Sequence, residues 1–349
     1  MTTFDPRRFP LDQPGKLIAA LPAVLGFAPE NSFVLVTVEG GELGCVMRAD
    51  LSEDTHEAIV QMAAAAGASR PDMAVAVIVD EDGASCRMCD DDHREFARAA
   101  ADALDSHGIE LWAVHVVDRI AAGGRWHCAD GCGDTGMVDD PSSSPLAVAA
   151  VLDGRRLYAN RAELLDVITV TDPERTAGLS GHIERASHAG GRRADAAARR
   201  DVEHVMAAAQ DVAEGLPVSD DEVARLACAL TDPRVRDTMY ALAVGRTGDQ
   251  VEALWALLSR VLPDPWRTET LVLLAFSAYV RGDGPLAGVA LEAALGSNDG
   301  HKMARMLDQA LQSGMRPEQI RELARTGYRL AKRLGVRLRP RRDFGRRAG

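Results

Sequence analysis

Neither of the short nucleotide-binding fingerprints occurs in this sequence. No G-x-G-x-x-G follows an apolar run, and no Gly-rich loop ends in Lys-Ser or Lys-Thr, so the backbone cradles that hold a pyrophosphate or a triphosphate are missing. A dinucleotide or P-loop enzyme is not expected. No segment reaches the roughly 18 apolar residues of a membrane span, and the opening MTTFDPRRFPLDQPGK has no apolar stretch behind its basic residues. The expectation is a cytoplasmic protein with no membrane partner. Six cysteines in 349 residues are too few for a disulfide scaffold and suit a reducing compartment. Basic residues are in deficit, with Lys+Arg 40 against Asp+Glu 52 and a net charge of −12. A body this acidic repels nucleic acid and anionic lipid over most of its surface.

What is present reads as two domains, each long enough to bury a core without disulfides or metals. The first is α/β. The run SFVLVTV, the Gly-rich EGGELG and the run CVMRADL form the pattern of a β-hairpin. Ala58, Ile59, Met62, Ala63 and Ala66 follow at helical spacing and stop at Gly67. A strand in DMAVAVIVDEDG, a helix in HREFARAAADALDSHG and a strand in IELWAVHVVDRI complete the order ββαβαβ. That alternation implies a mixed sheet covered by helices, with at least one crossover between parallel strands. The domain is assigned to residues 1–170 and a linker to 171–191.

Residues 192–335 read as an all-α domain of helical hairpins. Ser219 to Glu222 and Thr247 to Gln250 are capping boxes, and Asp232-Pro233 is a cap followed by a first-turn proline. Gly248 and Gly282, Asp249 and Asp283, Ala253 and Ala287, Leu257 and Leu291 each lie one 34-residue step apart, the tetratricopeptide length. A tetratricopeptide-like surface is expected to hold a protein or peptide; the alternative is a helical bundle in which the period is coincidence. The basic tail, 336–349, reverses the charge of the body. It could contact nucleic acid through its arginines, but it lacks aromatic platforms beyond Phe344, and nucleic acid is not the expected partner.

Four cysteines carry the chemistry the sequence offers: Cys86 and Cys89 in SCRMCD, Cys128 and Cys132 in WHCADGCGDTG. Both pairs follow predicted strands. If those strands are parallel, the loops emerge on one edge and four thiolates could surround a tetrahedral zinc, with His93 or His127 able to replace one sulfur. Three readings stay open: zinc ligands, a redox dithiol, or structural cysteines. Cys45 and Cys228 are assigned to the core. Asp90 to Asp92 are read as N-terminal caps of the following helix. His56, His107, His115 and His204 stand alone, with no Ser, Cys or Asp partner visible in sequence.

Three stretches bear a family likeness: LIAALPAVLGFAPENSFVLVTV, RWHCADGC with SPLAVAAVLDGRRLYANRAELL, and FSAYVRGDGPLAGVALEAAL with ARMLDQALQSGM. On these the chain resembles the bacterial family called domain of unknown function 4192. The resemblance implies no activity. Where that family carries C.D..CCP, this chain has CADGCGDTG, without the adjacent second cysteine and the proline; Cys86 and Cys89 fall outside the family pattern. The expectation is a non-catalytic interaction protein that binds a protein or peptide and needs no cofactor. Its rivals are a zinc or redox enzyme using the four paired cysteines and a nucleic-acid-associated protein using the tail.

Overall fold

Strand β1, Ser32–Glu39, is buried at every position except its last residue. Such a strand has both faces covered, which is why it reads as a continuous apolar run rather than an alternation. It pairs with β2, Glu42–Asp50, across a two-residue turn in which Gly40 and Gly41 take φ of 61° and 81°. A turn with two left-handed residues matches the twist of the hairpin, and glycine adopts it without a steric penalty. The computed structural model describes residues 11–86, 88–152, 156–187 and 194–338, and the chain divides into two units between Leu164 and Leu165.

In the first unit, α1 (Pro14–Leu25) precedes the hairpin; α2 (Thr55–Gly67), β3 (Met73–Val79), α3 (Cys89–Asp105) and β4 (Glu110–Val117) follow it. This is the expected ββαβαβ order. Two further strands, β5 (Arg125–Cys128) and β6 (Thr135–Met137), extend the sheet to the order β2-β1-β3-β4-β5-β6. Both are too short to show a hydrophobic period in sequence. Only β3 and β4 are parallel; the other neighbours are antiparallel. Helices α2 and α3 share one face, where Ile59, Met62, Ala100 and Leu104 meet Phe33, Leu35, Ile78 and Val116. Gly26 ends α1, and Phe27 forms a bridge to Tyr158 beyond α4, Pro145–Leu152. Cys45 is exposed on edge strand β2 and so is not core; Cys228 is buried as expected.

The second unit begins with the end of α5 (Arg161–Leu165) and continues through α6 (Pro173–Ser187), α7 (Asp195–Ala213), α8 (Asp220–Leu230) and α9 (Pro233–Ala243). It ends with α10 (Gly248–Val261), α11 (Trp266–Arg281), α12 (Gly284–Ser297), α13 (Lys302–Gln312), α14 (Pro317–Arg321) and α15 (Ala324–Leu334). The segment read as a linker holds α6, which packs on α8 and buries Leu179 and Ile183. Ser219 and Asp232 cap their helices as expected, but the Thr247 side chain makes no cap bond. Every residue of α11 from Thr270 to Val280 is buried. Helices α9, α10, α12, α13 and α14 all contact it, and α15 returns to pack on α9 and α7. Solenoid repeats touch only their neighbours. The helices around α11 are its neighbours along the chain, a pattern that a repeat stack and a helical bundle share, while α15 meets α9 and α7 from further along the chain. Arg281 ties three helices together through Glu252 at 2.6 Å and Asp283 at 3.1 Å, while Asp283 also caps α12 through the Leu286 N–H.

The return of α15 depends on small residues. A Cβ on Gly327 would lie 2.8 Å from the Asp237 carbonyl oxygen and 2.9 Å from the Ala241 nitrogen, both backbone atoms that cannot swing aside. Gly327→Ala is expected to lower unfolding stability by about 1–3 kcal/mol through overpacking. Urea denaturation checks it, and an unchanged midpoint would mean that α15 can shift without cost.

Candidate functional site

The loop after β3 is organised by Asp80. Its Oδ1 accepts the Gly83 N–H at 2.8 Å, and its Oδ2 lies 3.0 Å from Nε2 of His93 on α3. His93 is only 2 % exposed, and its Nδ1 is buried with no hydrogen-bond partner among the described residues. In a neutral imidazole, an Nε2–H donated to the carboxylate leaves Nδ1 as a bare acceptor. Cys89 lies one helical turn before His93 on the same face of α3.

Cys86 stands just outside the helix, where the Asp90 N–H reaches its carbonyl at 3.1 Å. Its sulfur accepts the backbone N–H of Cys89, then the Cys89 thiol, then the Met88 N–H, and these donors hold the Cys86 thiol below its usual range. Cys89 moves the other way. Its bond to Cys86, burial, and the negative charge of Cys86, Asp80 and Asp92 push it up to about 11. Asp90, Asp91 and Asp92 lie in the first turn of α3, where carboxylates complement the helix dipole. None is the cap residue, because the helix starts at Cys89, earlier than its apolar pattern suggests.

The second pair sits at the β5–β6 turn. Cys128 ends β5, and Gly131 and Gly133 flank Cys132 with φ of 76° and 90°. Two left-handed residues around one cysteine fold the turn back on itself. Asp130 secures it by accepting the Cys132 N–H at 2.9 Å. Ligand atoms of Cys128, Cys132 and Asp134 come within 4.8 Å of one another. Burial, the bond to Cys132, and the charges of Cys132, Asp130 and Asp134 push the Cys128 thiol up to about 12. Behind it lies His115 of β4, whose Nδ1 is 3.6 Å from Cys128 Sγ and whose ring meets Trp126 edge-on at 5.2 Å. Burial lowers the His115 pKa to about 4, so at neutral pH the imidazole is uncharged.

The two pairs do not make one four-sulfur group. Among the described residues, the single cluster of at least three ligand atoms within 4.8 Å is that of Cys128, Cys132 and Asp134. Strand alternation is the reason. His115 is paired with Cys128, and Val116 with His127, so Cys128 points to the face opposite α3 while His127 points toward it. His127 Nε2 accordingly lies 3.9 Å from Asp90 at the start of α3. The parallel strands were anticipated, but the second pair hangs from β5, whose short length concealed its register.

A family model described as a domain of unknown function, DUF4192, matches residues 14–318. The chain belongs to that family. No curated protein and no solved structure matches it. In this DUF4192 chain, sequence reasoning missed Asp80, Asp134 and the meeting of His115 with Cys128. The signal for Asp134 lay in GCGD, glycines alternating with potential ligands. His115 gave none, because its partner comes from the next strand.

Asp80 serves both the loop and His93, so Asp80→Ala is expected to cost the first unit about 1–3 kcal/mol by leaving a buried imidazole and a loop N–H unpaired. Asp80→Asn, which keeps an acceptor, should recover part of the loss. Denaturation followed by circular dichroism tests this, and equal stability of Asp80→Ala and the parent would refute it.

Proposed function

We propose that this protein binds a thiophilic divalent cation, zinc by its donor chemistry, at the β5–β6 turn. The observation that carries the reading is the approach of Cys128, Cys132 and Asp134 within 4.8 Å of one another. With Zn–S near 2.3 Å and Zn–O near 2.0 Å, the ligands of a tetrahedral zinc stand roughly 3.5–3.8 Å apart. His115 Nδ1, 3.6 Å from Cys128 Sγ, has the separation that sulfur and nitrogen ligands of one zinc adopt, about 3.5 Å. Its neutral state keeps a lone pair available, and although it stands outside the group of three within 4.8 Å of one another, a shift of the turn toward β4 would make it the fourth ligand on the inner side.

Electrostatics favour the same ion. Burial first, then the second thiol and two carboxylates, disfavour the Cys128 thiolate; a dication inverts that balance, since a coordinated thiol is deprotonated outright. The ion would staple the β5–β6 turn to β4, a structural role rather than a catalytic one. The helical unit offers weaker support for the expected peptide-binding surface, because only the 34-residue step between Gly248 and Gly282 speaks for it. For the basic tail, residues 339–349 lie outside the described residues, and no observation here favours nucleic acid. No helix among the described residues is long and apolar enough to cross a membrane.

Zinc titration of the reduced full chain should give about one equivalent bound. Cys128→Ser or Cys132→Ser should abolish binding and His115→Ala should weaken it about tenfold or more, while Cys86→Ser and Cys89→Ser leave it unchanged. At a free zinc concentration 100-fold above Kd, the first unit should gain about 2.7 kcal/mol of stability. Retention of zinc by folded Cys128→Ser, or its loss in Cys86→Ser, would overturn the assignment.

A further inference from the structure

The β5–β6 turn also has the parts of a peroxide sensor. The ligand atoms of Cys128, Cys132 and Asp134 lie within 4.8 Å of one another, so the two sulfurs are neighbours before any metal draws them together. Cys132 and Asp134 are exposed and Cys128 is half-buried. A structural zinc is ordinarily closed off by its four ligands; this one would keep a cysteine open to water. A sensing cysteine needs three things at once: a thiolate, access to the oxidant and a resolving cysteine beside it. Zinc supplies the first, since a coordinated thiol is deprotonated outright. The exposure of Cys132 supplies the second, and Cys128, nearby at the end of β5, the third.

The backbone leaves room for the two sulfurs to close. Gly131 and Gly133, with φ of 76° and 90°, turn the chain on both sides of Cys132. A Cβ at either glycine would meet nothing within 4 Å, so no packed neighbour stands against a shift of the turn there. Two sulfurs on one tetrahedral zinc are about 3.8 Å apart, and a disulfide brings them to about 2.05 Å. The change is small for an exposed turn.

We infer that this turn is a redox switch in which a hydroperoxide oxidises Cys132 and Cys128 to a disulfide and the zinc is released. The inference rests on the zinc reading above. The Cys132 thiolate attacks the terminal oxygen of R–O–O–H; the O–O bond breaks, Cys132 becomes a sulfenic acid, and RO⁻ takes a proton from water. The Cys128 thiolate then attacks the Cys132 sulfur, forming the S–S bond and expelling hydroxide. Each thiolate gives up one electron and the peroxide gains both. A dithiol reductant restores the two thiols by exchange. The disulfide leaves Asp134 and His115 as donors, one oxygen and one nitrogen, too few for a tetrahedral protein site. Zinc links the turn to β4 through His115, whereas the disulfide links the turn only to itself. Oxidation therefore releases the ion and ends the metal link to β4 in one event.

The test uses the reduced, zinc-loaded full chain, hydrogen peroxide, a chromophoric zinc indicator and peptide mapping by mass spectrometry. The expected result is a Cys128–Cys132 disulfide formed in step with zinc release, about one equivalent of ion per disulfide, and renewed binding after dithiothreitol. The double variant Cys86→Ser, Cys89→Ser should release zinc as the parent does. Zinc-free Cys128→Ser, which lacks the resolving thiol, should hold Cys132 as a sulfenic acid that dimedone traps, while the parent gives the disulfide instead. If Cys128→Ser does not fold, Cys132→Ser, altered at an exposed position, should give no dimedone adduct at half-buried Cys128 ahead of exposed Cys45. A chain that takes up no zinc before peroxide is added overturns the zinc reading and this inference with it. Zinc retained after Cys45 is oxidised, or released without a Cys128–Cys132 disulfide, overturns the switch alone and leaves the zinc site standing.

Discussion

The first unit depends on the parallel pairing of β3 with β4 through the crossover helix α3. Parallel neighbours cannot be joined by a tight turn; the chain must travel the length of the sheet outside it and return. That requirement places the N-terminus of α3 just beyond the carboxyl end of β3 and sets Asp80, the first residue after the strand, against His93 in the second turn of the helix. The burial of Ala100 and Leu104 against Ile78 and Val116 keeps α3 in place. Hydrophobic packing thus positions polar groups that could not organise themselves, and the backbone donors around Cys86 follow from where the helix is made to begin.

A second constraint divides the chemistry in two. Successive residues of β5 face opposite sides of the sheet, so His127 joins the α3 side and Cys128 the side of His115 and Trp126. A one-residue change of register would exchange them. The same thiol group is therefore held in two environments. Near Cys86 the donors are backbone N–H groups and a second thiol, which favour an anion; at Cys128 burial, then a second thiol and two carboxylates, oppose one.

The helical unit obeys a different logic. Its caps at Ser219 and Asp232 are local and were visible as short sequence patterns. The 34-residue step was also visible, but it describes helix spacing along the chain and not which helices touch. The core of the unit forms on α11, buried at every position from Thr270 to Val280, and the close approach that Gly327 permits brings α15 back onto α9. Thr247 has the residue type for a cap but makes no bond, since a capping residue must also reach the geometry that its neighbours allow.

Hydrophobic periodicity, turn glycines and helix stops by themselves determined the order ββαβαβ, the Gly40–Gly41 turn and the all-α character of the second unit. These are local properties, encoded within a few residues of where they act. Tertiary structure alone decided what depends on partners far apart in sequence: that α6 belongs to the helical unit, that Cys45 lies outside the core, and that β5 and β6 extend the sheet. It also decided that His115 meets Cys128 rather than standing alone, and that the two cysteine pairs go to separate sites. The physical reason is common to all of these. Burial and side-chain approach are set by which strand or helix packs alongside, and a segment as short as β5 carries too few residues to announce its register before the sheet imposes one.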